Sequence, residues 1–403
     1  MVSDFYGLLS DNALGMKRSA IRELLKLTRD PEIISFAGGL PAPETFPVDQ
    51  LKEVMDWVMT HEAQLALQYG PTEGDMLLRE LIVKNYSAFG YEITPDNVLI
   101  TTASQQGLDL LAKLMCNRGD KIIVGKPTYL GGLGAFNSYG PEMIGVSLDE
   151  HGMNAAELEK ALADLKKNGE RAKFIYVIPD FQNPTGITMP DERRRRIIEL
   201  AYEYDTLIVE DSPYHELRFE GEHQTPLYAL DNNGQVITLG TFSKIFCPGF
   251  RIGWVIADPQ ILDKFIVAKQ QVDLCTAPFN QRIAARFIER GYLGTKIKEI
   301  IEIYRVKRDT MLQAFEEYMP EGVHWTRPEG GLFLFITLPE YMDSEALAKE
   351  AIKEKVAFVP GNVFFHDNSN RHTMRINFSF ASKDKNLEGV KRLANVIRKA
   401  MKK

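Results

Sequence analysis

Short apolar runs alternate with amphipathic stretches through the middle of the chain. Six runs rich in Val, Ile and Leu have the length of buried β-strands, at 97–101, 120–125, 173–179, 206–211, 235–240 and 251–257. Between several of them, apolar residues recur every three or four positions, as in GLDLLAKLM and RRRRIIELAYEY, which predicts helices. Apolar strands that alternate with helices indicate an α/β fold, with a mainly parallel sheet covered by helices on both faces.

The pattern changes near residue 294. A long helical stretch is followed by the strand-like sequences GGLFLFITL and MRINFSF and by a C-terminal helix. We therefore predict a large α/β domain over residues 46–293 and a smaller α+β domain over residues 294–403. Residues 1–45 carry a predicted helix at 16–28 and a loop rich in Gly and Pro but no predicted strand, and we expect this segment to fold against the small domain.

Composition and charge favour some classes of protein over others. The chain has 403 residues, which is more than one hydrophobic core usually serves, so two domains are expected. Its net charge of −7 argues against binding to nucleic acid or to an anionic membrane. The run RRRR at 193–196 follows Pro190 and two acids, which is typical of the start of a helix.

The location of the protein is predicted from what its sequence lacks. No run is apolar over about eighteen residues, the length of a membrane span. The first residues do not follow the pattern of a secretory signal. The three cysteines, Cys116, Cys247 and Cys275, form neither a CxxC pair nor a disulfide framework. We expect a cytoplasmic protein without a metal site.

Polar residues follow several predicted strands, at the edge where an open α/β sheet binds its ligands. Ser104 begins a helix after NVLIT, and the free N–H groups of a helix start suit a phosphate. Asn183 follows KFIYVIP, and Asp211 ends TLIVED, where a buried carboxylate would need a partner. Each feature alone is also typical of a structural role, as a helix cap, a turn or an internal salt bridge.

The stretch TFSKIFCPGFRIGW places Lys244 and Arg251 among apolar residues. A guanidinium matches the geometry of a phosphate. An amine in an apolar or electropositive pocket has a lowered pKa and can act as a nucleophile. Together with Asp211 and Ser104, these residues meet the needs of pyridoxal phosphate, which are a lysine that forms a Schiff base, an acid on the ring nitrogen and a cradle for the phosphate.

Ten short motifs, in one order, make the chain resemble a known family: SFAGGLP, LQYGPTEG, SQQGLDL, PTYLG, FQNPTG, VEDSPY, TFSKIFCPGFRIG, PEGGLF, FVPG and MRINFS. The chain resembles the fold type I pyridoxal-phosphate aminotransferases of class I/II over nearly its whole length. Within them it is similar to the branch of α-aminoadipate, kynurenine and multi-substrate aromatic aminotransferases. The resemblance implies the PLP-dependent transferase fold, a homodimer, and a ping-pong transfer of the amino group from an amino acid to 2-oxoglutarate.

The resemblance also implies a role for each residue of the cofactor site. Lys244 would carry pyridoxal 5'-phosphate and act as the catalytic base, and Asp211 would pair with the ring nitrogen. Asn183 and Tyr214 would bond the phenolic oxygen, and Tyr129 would lie against the face of the ring. The phosphate would be held by Ser104, Gln105, Thr241, Ser243, Arg251 and, from the neighbouring subunit, Tyr69.

Substrate contacts are implied in the same way. Arg375 would bind the α-carboxylate beside Asn183, and Gly39 would contribute backbone near the substrate. Arg22 matches an arginine that meets an acidic side chain of the substrate. Three of the implied residues also have plain structural interpretations: Tyr69 as an interface aromatic, Arg22 as a solvated helix residue and Gly39 as a turn glycine.

Other functions are weighed on the same residues. A lyase or decarboxylase could use the same cofactor site, because a fold does not determine a reaction. A regulator without catalysis would need a DNA-binding region, and no helix-turn-helix pattern precedes the α/β part. A dinucleotide enzyme is disfavoured, since GGLG at 131–134 is not the GxGxxG motif. The amino donor stays open among aromatic amino acids, kynurenine, leucine and 2-aminoadipate.

Overall fold

The computed structural model describes residues 5–16 and 30–402 of the chain. Its strands, numbered β1 to β14 in chain order, are Ile34–Ser35, Val98–Thr101, Lys121–Lys126, Glu142–Asp149, Gly152–Met153, Ala172–Val177, Leu207–Asp211, Val236–Thr241, Gly253–Ile256, His324–Trp325, Phe333–Thr337, Val356–Ala357, Val359–Pro360 and Thr373–Asn377. The helices of the described residues are Asp11–Gly15, Val48–His61, Ala63–Leu67, Met76–Ser87, Ala103–Met115, Leu130–Asn137, Ala155–Lys167, Asp191–Glu203, Leu227–Leu230, Pro259–Gln270, Pro278–Glu289, Tyr292–Tyr318, Ser344–Lys353 and Lys383–Met401.

Eight strands form one large sheet in the order β2-β9-β8-β7-β6-β3-β4-β5. Strands β4, β3, β6, β7 and β8 are parallel to their neighbours in this series, whereas β9 runs antiparallel to both β8 and β2. All six predicted strands are present in this sheet. The fold class predicted from the sequence is therefore confirmed, since helices cover both faces of a mainly parallel sheet.

Successive residues of β3 demonstrate how both faces are covered. Ile122 and Val124 belong to one buried cluster, and Ile123, between them, belongs to another. The second cluster includes Leu158 and Leu162 of the helix Ala155–Lys167. Because side chains alternate along a strand, a run that is apolar at every position is buried on both sides of the sheet.

Strand β4 was not among the predicted strands. It lies toward one end of the sheet, and most of its side chains are only partly buried. Its sequence, EMIGVSLD, lacks a continuous apolar run for that reason. A strand near a sheet edge needs less apolar surface, so its pattern is weaker.

A second sheet, of four antiparallel strands, has the order β10-β11-β14-β13. The strand β1 pairs in parallel with β12, so the first 45 residues do contain a short strand, which the sequence pattern did not predict. The helix predicted at 16–28 falls outside the described residues apart from Met16. The domain boundaries near residues 46 and 294 stay a prediction. Within the described ranges, no helix is long and apolar enough to cross a membrane.

The start of the helix Asp191–Glu203 agrees with the interpretation of the arginine run. Asp191 and Glu192 lie in its first turn, where acidic side chains favour the positive end of the helix dipole. Arg194 is fully buried and donates from Nη2 to Oδ1 of Asp180 at 2.7 Å. Arg194 of this run therefore has a structural role in the interior of the protein.

Candidate active site

The carboxyl ends of the parallel strands bring the predicted residues together. Asp211 is the last residue of β7, Asn183 lies in the loop after β6, and Lys244 lies in the turn after β8. Because β6, β7 and β8 are parallel neighbours, these three positions share one edge of the sheet. Arg375 reaches the same place from β14 of the other sheet, where its Nη1 donates to Oδ1 of Asn183 at 2.9 Å.

Two adjacent carboxylates at the end of β7 have different surroundings. Glu210 is fully buried and accepts hydrogen bonds from Thr238 at 2.8 Å and from the backbone N–H of Leu227 at 2.8 Å. Asp211 is also buried, and its Oδ2 accepts a 2.6 Å bond from the hydroxyl of Tyr176. Its Oδ1 has no hydrogen-bond partner among the residues that the structure describes. Burial raises the pKa of Asp211 to about 6, although the bond from Tyr176 acts in the opposite direction.

Lys244 lies in the turn after β8, and its side chain reaches the segment that carries Gly39. Its Nζ donates to the carbonyl oxygen of Gly39 at 2.8 Å. Removal from water, together with the positive charges of Arg375 and Arg251, lowers the pKa of Lys244 to about 8. A lysine with this pKa holds a substantial fraction of neutral amine near neutral pH, which is the form that attacks a carbonyl.

The helix Ala103–Met115 begins at one end of this pocket. Its first residue, Ala103, has φ of 61°, in the left-handed region, and is followed by Ser104 and Gln105. Gly253 of β9 passes so close that an added Cβ would lie 2.5 Å from the backbone nitrogen of Ser104. The glycine thus permits the sheet and the helix start to approach each other, and free N–H groups at a helix start attract phosphate.

Two hydroxyl residues and an arginine lie between the end of β8 and the start of β9, and β9 passes beside this helix start. The backbone N–H of Ser243 donates to Oγ1 of Thr241 at 3.1 Å, and the two hydroxyl oxygens are 2.9 Å apart. Arg251 is exposed, has φ of 52°, and donates from Nη1 to the carbonyl oxygen of Pro248 at 3.3 Å.

Tyr129 precedes the helix Leu130–Asn137, next to the helix start at Ala103. Its hydroxyl donates to Oε1 of Gln105 at 3.4 Å. Gln105 also donates from Nε2 to the carbonyl oxygen of Gly131 at 3.0 Å, which joins the two helix starts. Tyr214 is buried, and burial, with further contributions from Tyr129 and Asp211, raises the pKa of its phenol, so the hydroxyl stays protonated.

Arg375 is held rigidly although it is almost fully buried. Its Nη2 donates to the carbonyl oxygen of Ala37 at 2.8 Å, and its guanidinium lies 4.2 Å from the ring centre of Phe333 and 4.9 Å from that of Phe364. Cation–π contacts stabilise a charge that burial would otherwise disfavour. Burial lowers the pKa of Arg375 to about 10, so it stays charged at neutral pH. Its Nε has no partner within the described part of the chain.

One predicted residue lies apart from this arrangement, and another falls outside the described residues. Tyr69 is 79% exposed, so little of it packs against the rest of the chain. Arg22 lies outside the described residues. Gly39, by contrast, lies in the pocket through its carbonyl oxygen, and an added Cβ would meet the ring of Phe333 at 3.2 Å.

Three residues of the site were not predicted from the sequence. Tyr176, Phe333 and Phe364 each contact a predicted residue, but in sequence they resemble core aromatics. Phe333 lies within the motif PEGGLF, which offered an indirect signal. Tyr176 stands in an apolar strand, and only its hydroxyl distinguished it from a residue of the core.

These residues fit pyridoxal 5'-phosphate. The unpartnered Oδ1 of Asp211 and its raised pKa are features of a carboxylate that lacks the cation it is arranged to bind. An amine with a lowered pKa lies at the neighbouring strand end, and the helix start at Ala103 lies at the far end of the same edge. An acid, an amine and an anion cradle are the groups that this cofactor requires.

Comparisons with known proteins agree with this chemistry. The chain matches the family described as Aminotransferase class I and II over residues 34–393. It is 49% identical over 402 residues to Aromatic-amino-acid aminotransferase 1 of Thermococcus litoralis. The alignment covers 99% of this chain and 96% of that protein.

Two solved structures are similar over nearly their whole length. Kynurenine aminotransferase of Pyrococcus horikoshii, in complex with PMP, KYN and KYA, is 48% identical with a TM-score of 0.96 and covers 100% of both chains. LysN, an alpha-aminoadipate aminotransferase of Thermus thermophilus complexed with N-(5'-phosphopyridoxyl)-L-leucine, is 36% identical with a TM-score of 0.91 and covers 98% of both chains. With the family matched over most of its length, the chain belongs to the class I and II aminotransferases and is a transaminase.

Proposed function

We propose that this transaminase moves the amino group of an aromatic amino acid, kynurenine, 2-aminoadipate or a similar donor to 2-oxoglutarate in a ping-pong reaction at Lys244. Pyridoxal 5'-phosphate is its cofactor. The observation that carries the proposal is that the amine of Lys244 and the Oδ1 of Asp211, which has no partner among the described residues, lie at neighbouring strand ends. The names of the relatives support the range of donors.

The reaction needs a base at the substrate Cα and a place for the charge that is left behind. When bound, pyridoxal 5'-phosphate supplies an electron sink for that charge. Lys244 Nζ would take the proton from Cα and deliver it to the cofactor carbon, acting first as base and then as acid. Asp211 Oδ1, which has no hydrogen-bond partner among the described residues, would keep a proton on the ring nitrogen. Asn183 and Tyr214 would orient the ring through its phenolic oxygen.

Arg375 is proposed to hold the substrate carboxylate. Its guanidinium is fixed by Asn183, Ala37 and two aromatic rings, so little freedom is lost when a carboxylate binds. Amino acids and 2-oxo acids carry the same α-carboxylate. One clamp can therefore serve both substrates in turn, which suits a ping-pong reaction.

The remaining roles follow from position. Ser104, Gln105, Thr241, Ser243 and Arg251 are proposed to hold the phosphate, and Tyr129 to lie against the ring. The exposure of Tyr69 suits a side chain that enters the site of a partner subunit, so we also propose a homodimer. The roles of Arg22 and Gly39 toward the substrate, the two domains and the cytoplasmic location stay predictions.

The test begins with the purified protein and pyridoxal 5'-phosphate. Reduction with borohydride should attach the cofactor irreversibly to the peptide that contains Lys244. Lys269, which is fully buried and paired with Asp273 at 2.5 Å, is the internal control and should stay unlabelled. Labelling elsewhere, or none, would overturn the assignment of Lys244.

The second step is an absorbance spectrum before and after single amino acids are added. We expect conversion to the amine form of the cofactor by some donors, with reversal by 2-oxoglutarate. Release of ammonia or CO₂ in proportion to the amino acid consumed would instead indicate a lyase or decarboxylase. The same series ranks the donors.

A further inference from the structure

Tyr176 and Asp211 are joined by a buried hydrogen bond, and the reaction as proposed above gives Tyr176 no role. The hydroxyl of Tyr176 donates to Oδ2 of Asp211 at 2.6 Å, and both side chains are almost fully removed from solvent. The bond occupies one carboxylate oxygen and leaves Oδ1 without a partner among the described residues. The two oxygens of Asp211 therefore differ: Oδ2 is hydrogen-bonded to Tyr176, and Oδ1 can accept a bond from another group.

The register of two adjacent strands produces this contact. Tyr176 of β6 is paired with Val209 of β7, and Asp211 lies two residues beyond Val209. Because side chains alternate along a strand, Val209 and Asp211 point to the same face as Tyr176. A long aromatic side chain reaches the diagonal neighbour on that face, so the contact depends on this register.

Packing holds the Tyr176 ring in one orientation. An added Cβ on Gly132 would lie 3.2 Å from the ring and hydroxyl of Tyr176, so a larger residue there would push the ring by a few tenths of an ångström. The ring of Phe136 approaches edge-on, with ring centres 5.2 Å apart. A fixed ring gives a fixed direction to the hydroxyl, which lies where it can serve Asp211.

We propose that Tyr176 is a positioning residue: its hydroxyl holds Oδ2 of Asp211 so that Oδ1 stays ionised and aimed at the cofactor ring nitrogen. The inference rests on the proposed function, because it assumes that Asp211 meets that nitrogen. A hydrogen bond donated to a carboxylate favours its charged form. Without Tyr176, the buried carboxylate would lose its only hydrogen bond from a described residue and would become a weaker partner for a cation.

Other charged or titratable groups face this pair. Lys244 lowers the pKa of Asp211 by its positive charge, after the larger influences of burial and Tyr176. Tyr129 and Tyr214 act on Tyr176, whose own pKa is raised well above its usual value, chiefly by burial. Tyr176 therefore stays protonated at every pH used below, and its hydroxyl is a constant donor.

The test compares Tyr176→Phe with a matched control, Tyr202→Phe. The Tyr202 hydroxyl also donates a 2.6 Å bond to an aspartate, Asp231, but Asp231 precedes β8 and lies at the opposite edge of the sheet from the site. Each variant loses one Tyr–Asp bond, and Tyr202→Phe also loses the 2.8 Å bond that the Tyr202 hydroxyl accepts from the backbone N–H of Asn232. An effect that comes from stability alone should appear in both.

Three measurements on the purified proteins decide the outcome. We expect Tyr176→Phe to bind pyridoxal 5'-phosphate about tenfold or more weakly, since a hydrogen bond to a charged group is lost. The pH titration of the bound cofactor's absorbance should move to higher pH, because a less fully charged ring nitrogen lets Lys244 Nζ keep its proton longer. The kcat should fall while the KM for the amino acid changes little, since Tyr176 does not contact substrate. Tyr202→Phe should match the wild type in all three.

Unchanged affinity and an unchanged absorbance titration in Tyr176→Phe would overturn the inference. If Tyr176→Phe does not fold, Gly132→Ala decides, because its new methyl pushes the hydroxyl by a few tenths of an ångström without removing it. It should shift the titration in the same direction, and no shift would overturn the inference. If the wild type itself binds no cofactor, the proposed function fails. If the wild type is functional and Tyr176→Phe behaves like it, only the inference about Tyr176 fails.

Discussion

Arg375 Nη1 donates a 2.9 Å hydrogen bond to Oδ1 of Asn183, and this bond joins the four-stranded sheet to the eight-stranded sheet. Asn183 lies in the loop after β6, and Arg375 lies on β14 opposite Phe335 of β11. The two residues are 192 positions apart in the sequence. The proposed substrate clamp is therefore assembled between the sheets, and its geometry depends on how they pack.

Replacement of Arg375 by Lys should raise the KM for both the amino acid and the 2-oxo acid by about tenfold or more, because an ammonium cannot form a bidentate pair with a carboxylate. The control is Arg371→Lys, since Arg371 is an exposed arginine that pairs with Asp343 and Glu345 at the surface. It should leave both KM values unchanged. Steady-state kinetics with each substrate varied in turn measures this. An effect on one substrate only would contradict a shared clamp.

The capture of pyridoxal 5'-phosphate by the cofactor-free protein should accelerate as pH rises, with a midpoint near 8. The reactive form of Lys244 is the neutral amine, and burial with the charges of Arg375 and Arg251 lowers its pKa to about 8. Arg375→Gln should move the midpoint upward, because it removes a like charge that disfavours the protonated lysine. Stopped-flow absorbance against pH gives the profile. A midpoint near 10.5, the ordinary lysine value, would show that the site does not perturb Lys244.

Asp211→Asn should stabilise the cofactor-free protein at pH 7. The pKa of Asp211 is about 6 in the folded chain against 3.8 as its ordinary value, so the folded state favours the protonated form. Its contribution to stability is complete below about pH 4 and is lost as pH rises through 6, by about 3 kcal/mol at most. The gain from Asn should therefore be present at pH 7 and vanish near pH 4, as denaturant unfolding would measure.

Asp180→Asn is the control for that experiment. Asp180 is equally buried, but the charges of Arg194 and His215 overcome the effect of burial and hold its pKa well below the usual range. Its replacement should destabilise the protein by about 3–5 kcal/mol, because it breaks a buried pair. The two substitutions are thus expected to have opposite signs. A loss of stability in both at pH 7 would contradict the unpaired state of Asp211.

Gly253→Ala should weaken the binding of pyridoxal 5'-phosphate and lower the free energy of unfolding by about 1–3 kcal/mol. The new Cβ would lie 2.5 Å from the backbone nitrogen of Ser104 and 2.6 Å from the carbonyl carbon of Ala103, and backbone atoms cannot give way as a side chain can. Gly249, in the preceding loop, is the control, since no described atom lies within 4 Å of its added Cβ. Equilibrium titration with the cofactor compares the two variants, and equal affinities would refute the close approach.

The sequence by itself determined the class of the fold and the positions of most site residues. The six strands were predictable because a strand buried on both faces must be apolar at every position. Lys244 and Asp211 were recognisable because charged groups next to such strands need a chemical reason. The ten motifs in their order indicated the family, which the comparisons confirm. All of these signals are local, and a local pattern can be read without knowing what packs against it.

Only the tertiary structure decided the contacts between distant residues. The sequence carried two carboxylates at the end of β7, and the strand register determined that Glu210 is satisfied by Thr238 and Leu227 while Asp211 keeps one oxygen unpartnered. The bond of Tyr176 to Asp211 depends on the same register. The rings of Phe333 and Phe364 lie around Arg375 because three elements pack together: β11, which carries Phe333; the segment after β13, which carries Phe364; and β14, which carries Arg375. These contacts are determined by which strands become neighbours, and that is the outcome of packing the whole chain rather than of any short stretch within it.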